Sequence, residues 1–334
     1  MNQRWGITFP LDGVPLNAHR QILRDAEAAG YTDAWTMEVS GTDAFVPLAL
    51  AAAWTDNLRL GSAIANVFTR TPTLLAMTAA ALAEAAPGRF CLGIGSSSPA
   101  IVENWNGVPL HKPLTRVHDV LSFLRRAFTG EKISFAAESF SVQGLRLSRP
   151  PTPPPPIYLA ALKPRMLTLA GSIADGVILN WLSPQDVAKL LPIVRDAARA
   201  AGRDPQTLDI VCRIFVLPTA DQDVARQVGK FAVAAYLTTP VYAAFHRWLG
   251  RSQTLDPMMQ AWHAGDRREA LRLIPDSVID EILVWGDPNT ILERVHAYRD
   301  NGVTTPVMAI LPTSQEPREQ AAQSIAAIKQ LAPP

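Results

Sequence analysis

The chain has 334 residues, with 31 Lys and Arg against 30 Asp and Glu, a formal net charge of +1. That balance excludes a general nucleic-acid binder, which carries a basic excess or stripe. Two cysteines, Cys91 and Cys212, cannot build a disulfide framework. Both sit in apolar runs, FCLGIG and IVCRIFVL, and read as small buried hydrophobes.

The first residues, MNQRWGITFP, hold no apolar leader core. No run reaches the ~18–20 unbroken apolar residues of a membrane helix. The expectation is a cytoplasmic protein with no membrane or nucleic-acid partner. Eight nearly continuous apolar segments then follow: 5–9, 33–37, 59–65, 89–95, 156–161, 176–180, 209–217 and 303–310. Such runs suit parallel strands covered on both faces. The segments between them carry helical spacing. Val117, Val120, Leu121, Leu124 and Phe128 form one stripe, and Val187, Leu190, Leu191, Val194 and Ala198 another.

Punctuation agrees with that alternation. Thr71-Pro72, Ser183-Pro184 and Asp287-Pro288 place a capping residue before a first-turn proline. Gly30, Gly88, Gly202 and Gly302 fall where helices give way to strands. Eight strand–helix repeats favour a (β/α)8 TIM barrel over a doubly wound open sheet, as a single α/β domain over residues 1–334. Two stretches break the rhythm. Residues 130–156 read as a small β-excursion before strand five, ending in a stiff proline-rich segment, and residues 219–286 as a helical insertion after strand seven.

In a barrel, chemistry sits at the C-terminal ends of the strands. Glu38 follows strand two, as a candidate acid or base or as a structural partner of an arginine such as Arg70. Strand four ends in GIGSSSP and strand five in LAALKP, turns whose small residues leave amides free for an anion. The third glycine of a dinucleotide fingerprint is absent, with Ser98 in its place. Six histidines form no metal-ligand spacing, so no metal site is expected. His118 lies one residue off its helix stripe and reads as a surface residue.

Five blocks carry a family likeness: AEAAGYTDAWTMEVSGTDAF, LRLGSAIANVFTRTP, EAAPGRFCLGIGSSSP, PPPPIYLAALKPRMLTLAGSIADGVILNW and GDPNTILERVHAYRDNGVT. Together they resemble the bacterial-luciferase-like superfamily, in its branch that uses the deazaflavin coenzyme F420. The resemblance implies a TIM barrel, a homodimer, and a cofactor ring at the C-terminal mouth. It implies a non-prolyl cis peptide in a bulge of strand three, matched here by Ser62-Ala63, with Asn66 near the ring's polar edge. Cofactor-phosphate contacts map onto Ala160, Ala161, Leu162 and Lys163, and onto Gly95, Ser96 and Ser97. Asn180 and Trp181 match positions near ring and substrate.

The sugar-phosphate-oxidising members carry Asp-His after strand two and a glutamate after strand four. Glu38-Val39 and Ser98 stand there instead, which counts against that activity and leaves the proton-transfer residue open, with Glu38 one candidate. The expected function is hydride transfer between reduced F420 and a small organic substrate. The alternatives are an FMN-dependent monooxygenase using dioxygen and a non-catalytic F420-binding protein. The insertion would close over the substrate, with Tyr236, Phe245, Trp248 and Trp262 as candidate pocket aromatics.

Overall fold

A computed structural model describes residues 4–333. Its strands are β1 (Gly6–Thr8), β2 (Asp33–Thr36), β3 (Arg59–Ser62), β4 (Ala65–Asn66), β5 (Phe90–Gly95), β6 (Ile133–Ala136), β7 (Ser141–Leu145), β8 (Ile157–Ala160), β9 (Gly176–Asn180), β10 (Asp209–Leu217), β11 (Val284–Trp285) and β12 (Thr305–Ile310). Eight staves run in the order β1, β2, β3, β5, β8, β9, β10, β12, and β12 pairs back to β1. Every pairing in this sheet is parallel, so the ring closes without a free edge. β4 continues the third stave, and β11 adds to the end of β10.

The expected barrel is therefore the observed one, with one local change. The run at 59–65 is not a single strand. It breaks after Ser62 and resumes at Ala65. Residues 130–156 contain the antiparallel hairpin β6–β7, and residues 222–282 contain five helices.

Local sequence explains the outer layer. Ser183 and Asp186 form a reciprocal capping box at the helix Pro184–Ala200, and Asp287 caps Pro288–Asp300 through the Thr290 N–H. Thr71 precedes Pro72 as expected, but its side chain makes no capping bond. Gly302 turns the chain into β12 at φ +103°, a conformation that disfavours a side chain.

The barrel floor, at the N-terminal ends of the strands, is a closed polar network. Arg59 pairs with Asp33 and with Asp209, the latter at 2.6 Å. It also donates to the Tyr158 hydroxyl and to Thr305 Oγ1, both at 3.0 Å. Above it lie Trp35, Cys91, Tyr158, Ile178, Val211 and Val307, packed in the lumen. Burial pushes the Cys91 thiol up to about 12, and Cys212 is raised for the same reason, so neither is a nucleophile at neutral pH.

Candidate active site

The mouth is built around a bulge in the third stave. Gly61 pairs with Cys91 of β5, and Ala65 pairs with Ile94. Four steps on one strand thus face three on the other, so one residue is extra. Gly93 is what permits it. A Cβ there would lie 1.9 Å from the Ser62 carbonyl oxygen. Ser62 is buried and bolts the seam, its hydroxyl donating to Gly93 O at 2.9 Å and accepting from Gly93 N at 3.0 Å.

The non-prolyl cis peptide lies in this bulge, at Ala63-Ile64 rather than at Ser62-Ala63. The one-residue correction has a physical cause. Ser62 still belongs to β3 and pairs with Thr36, so the departure from the ladder begins only after it.

Glu38 is committed to the same corner. One carboxylate oxygen accepts from the Asn66 N–H at 3.0 Å, and the other accepts from Arg70 Nε at 3.0 Å. The Ala44 N–H adds a longer contact at 3.4 Å. Arg70 in turn stacks over the Phe45 ring at 4.6 Å. This is the structural partnership with Arg70, and it leaves Glu38 as a brace for the bulge. Asn66 is buried; its Oδ1 accepts from the Phe68 N–H at 2.9 Å, while its Nδ2 has no partner.

Two turns at the mouth present unused amides. Among the described residues, the main-chain N–H groups of Ser96, Ser97 and Ser98 after β5 find no acceptor, nor do those of Leu162 and Lys163 after β8. Ser97 holds a left-handed φ of +59°. Gly95 lets the wall pack closely: a Cβ there would meet Ile64 at 3.1 Å and the Ala160 Cβ at 3.2 Å. Ala161 is buried and bonds to Ile178 O. Lys163 is exposed and leads into the helix Pro164–Ile173, where Pro164 has no N–H, Met166 N–H donates to Lys163 O at 3.0 Å, and the Arg165 N–H is left free among the described residues. Gly95, Ser96, Ser97, Ala160, Ala161, Leu162 and Lys163 thus lie on adjacent staves, since Ile94 of β5 pairs with Leu159 of β8.

The far wall is aromatic. Asn180 Nδ2 donates to the Tyr242 hydroxyl at 2.8 Å, while Asn180 Oδ1 is buried without a partner. Trp181 follows at φ +55°, its indole N–H also unpaired. Its ring stacks on Phe215 at 4.1 Å and lies 4.3 Å from Tyr236. Of the four insertion aromatics, Tyr236 meets the Trp181 ring directly, and Trp262 packs against the apolar cluster that holds Trp181 and Phe215. Phe245 is buried and stacks with the exposed Trp248 at 6.2 Å, and Trp262 lies under Arg267 at 3.7 Å.

Tyr242 and Arg213 also lie at the mouth, and neither stands out in the sequence as a candidate. Arg213 is buried in the middle of β10, its Nε donating to Thr8 Oγ1 at 3.2 Å. A lone cation inside IVCRIFVL was the available signal. Hollows of about 370 and 380 Å³ lie instead at the N-terminal ends of β8 and of β10, away from the mouth. Among the described residues, no His, Cys, Asp and Glu cluster could hold a metal, and no helix is long and apolar enough to cross a membrane.

Comparisons with known proteins match this architecture. A Mycobacterium tuberculosis protein carrying the name of a coenzyme F420-dependent oxidoreductase is 29% identical, over 88% of this chain and 91% of its own. The 5,10-methylenetetrahydromethanopterin reductase of Methanolobus tindarius is 28% identical, over 90% of this chain and 92% of its own. Among solved structures, the F420-dependent tetrahydromethanopterin reductase of Methanopyrus kandleri superposes with a TM-score of 0.82 at 23% identity, covering 99% of this chain and 98% of that one. An F420-dependent secondary alcohol dehydrogenase follows with a TM-score of 0.79 at 16% identity, covering 99% of each chain. With the family model for luciferase-like monooxygenases matching residues 6–305, the chain belongs to that family of barrel enzymes.

Proposed function

We propose that this protein is a coenzyme F420-dependent oxidoreductase that moves a hydride between the deazaflavin and a small organic substrate at the barrel mouth. One observation carries the reading. The mouth holds a buried amide donor, Asn66 Nδ2, and a buried amide acceptor, Asn180 Oδ1, both without partners among the described residues. Buried polar groups are otherwise almost always satisfied. A tricyclic ring whose polar edge alternates carbonyl and N–H groups is the kind of ligand that would satisfy both. The unused amides of Ser96, Ser97, Leu162 and Lys163 suit the cofactor's phosphate. The names of the M. tuberculosis and Methanolobus relatives favour the deazaflavin over FMN.

When bound, reduced F420 supplies a hydride at its C5 carbon. The chain's own work is placement. Ser62, Gly93 and Glu38 hold the bulge of stave three, which would back the ring. The Trp181–Phe215–Tyr236 stack shields the opposite wall from water. With both Glu38 oxygens engaged by Arg70 and Asn66, we assign the glutamate a positioning role in place of proton donation. A homodimer is the assembly we expect. Val46, Leu74 and Met77 expose apolar surface on the adjoining outer helices Phe45–Trp54 and Pro72–Ala85.

The test is a fluorescence titration of the purified protein with F420 and with FMN, followed by turnover with reduced F420 on a substrate panel. Saturable F420 binding at lower concentration than FMN is the expected result, with oxidation of reduced F420 under anaerobic conditions. Tighter FMN binding with oxygen-dependent turnover would select the monooxygenase reading. F420 binding without turnover on any substrate would select the cofactor-binding protein.

A further inference from the structure

We propose that Arg213 makes this mouth a receptor for organic acids: the substrate has a planar apolar body and a carboxylate, and the carboxylate pairs with the Arg213 guanidinium. This names a substrate class for the oxidoreductase reading above and rests on it for the reaction.

The argument starts from strand alternation. Residues two apart on a strand share a face, so Val211, Arg213 and Phe215 point the same way. Val211 packs in the lumen against Trp35, Tyr158, Ile178 and Val307. Arg213 is therefore a lumen residue one layer higher, and Phe215 is higher still. In register, Arg213 lies beside Asn180 on one neighbour and Val307 on the other. This is the top of the barrel, level with the unpaired Asn180 carbonyl oxygen.

Arg213 is only 7% exposed, yet no carboxylate lies within ion-pair distance among the described residues. Its one polar partner is the neutral Thr8 hydroxyl, which takes a single N–H of the five that a guanidinium offers. Arg59 and Arg251 meet carboxylates, Asp33 and Asp209 for the first and Asp186 at 2.7 Å for the second, while the half-buried Arg89 and Arg116 are each held by two main-chain carbonyls. Arg213 has neither kind of support beyond the Thr8 hydroxyl. Its Nη1 and Nη2 make no hydrogen bond among the described residues yet are not among the fully buried unpartnered atoms, so they open to the mouth, where an incoming anion can pair with them. Neutral acceptors do not supply the missing charge.

Position and orientation select the substrate as the source of that anion. In the ring of eight staves, β10 lies four strands from β3 in either direction, so Arg213 is across the mouth from the bulge. A cofactor ring backed by the bulge leaves Arg213 on the substrate side. The guanidinium is stacked over Phe215 at 4.8 Å, which fixes its planar fork for bidentate pairing. The same Phe215 stacks on Trp181, so a flat apolar body attached to the carboxylate meets aromatic faces.

The probes are benzoate and its neutral analogue benzamide, titrated into the full-length protein without cofactor and followed by tryptophan fluorescence and calorimetry. Benzoate is expected to bind at least about tenfold tighter at neutral pH, the scale of a charge-assisted pair. Arg213→Gln should bring the ratio to about one, and Arg213→Lys should retain part of the preference. A ratio near one in the wild-type chain overturns the proposal whether or not the variants fold. So does loss of F420 binding in Arg213→Gln with the benzoate preference intact, which would assign the arginine to the cofactor. If the wild-type chain failed to bind F420, the oxidoreductase reading would fall. A benzoate preference abolished by Arg213→Gln would still support acid recognition.

Discussion

The two ends of the barrel satisfy their buried polar groups to different degrees. At the floor, Arg59 meets two carboxylates, a phenol and a hydroxyl, and stacks between Trp35 and Tyr158 at 5.5 and 5.8 Å. At the mouth, Arg213 meets one hydroxyl, and Asn66, Asn180 and Trp181 each keep a polar atom unpaired. Between them, Trp35 has an unpaired indole N–H as well, so the contrast is one of degree along the lumen. The floor is finished without a ligand. The mouth keeps polar valence in reserve, and that reserve marks the end where binding is to be sought.

The hardest way to break the comparison is to remove each arginine in turn. Arg59→Met leaves Asp33 and Asp209 buried without their cation, and removing one partner of a buried pair costs about 3–5 kcal/mol. Arg213→Met deletes a cation that nothing balances, and its cost is expected to stay at about 1 kcal/mol or less, the loss of the Thr8 bond. Urea unfolding of both variants measures the difference. Equal losses would mean that the two ends are built alike.

A second test concerns the wall behind the mouth, where His246 is buried beside the Trp181 main chain. Its charged neighbours are Arg251, with Nη1 3.5 Å from Nδ1, and Asp186. Burial, then Arg251, lowers its pKa to about 4 from 6.5. In the unfolded chain the imidazole takes its proton first. Stability is therefore complete above about pH 6.5 and falls as pH drops toward 4, by up to about 3 kcal/mol. Arg251 and Ser183 hold the Asp186 carboxyl below its usual range against the opposing effect of burial, so its contribution is lost only at lower pH. Thermal melts across this window should slope downward in the wild-type chain and flatten in His246→Gln. An unchanged slope in the variant would assign the acid limb to other groups.

How much of this is legible in the sequence follows from the range of the interactions. Barrel staves and helix stops are local: an apolar run such as FCLGIG, or a glycine such as Gly302, declares itself within a few residues. The two amide turns after β5 and β8 were legible for the same reason. The floor was not, because Arg59, Asp33 and Asp209 come together only when the ring closes. The exact step of the cis bond was hidden too, since it depends on the register between Gly61 and Cys91. Glu38 was legible as a residue of this corner, but its partnership with Arg70, a residue beyond the next strand, shows only in the folded chain. Tyr242 gave no signal, being one aromatic among several in the insertion.

The smallest effect on stability is expected at Asn66, and it bears most directly on the cofactor. Asn66→Ala removes one satisfied group, the Oδ1 that accepts from the Phe68 N–H, and one unsatisfied group, Nδ2. The first loss costs about 1 kcal/mol, and the second removes a buried donor that was itself unfavourable, so the net change should lie below that figure. F420 affinity should nonetheless fall by roughly tenfold, because the ring would lose a buried hydrogen bond that water does not replace. Calorimetric titration beside urea unfolding separates the two quantities. A large stability loss with unchanged F420 affinity would place Asn66 with the finished groups of the floor and remove the mouth's strongest claim to a ring-shaped ligand.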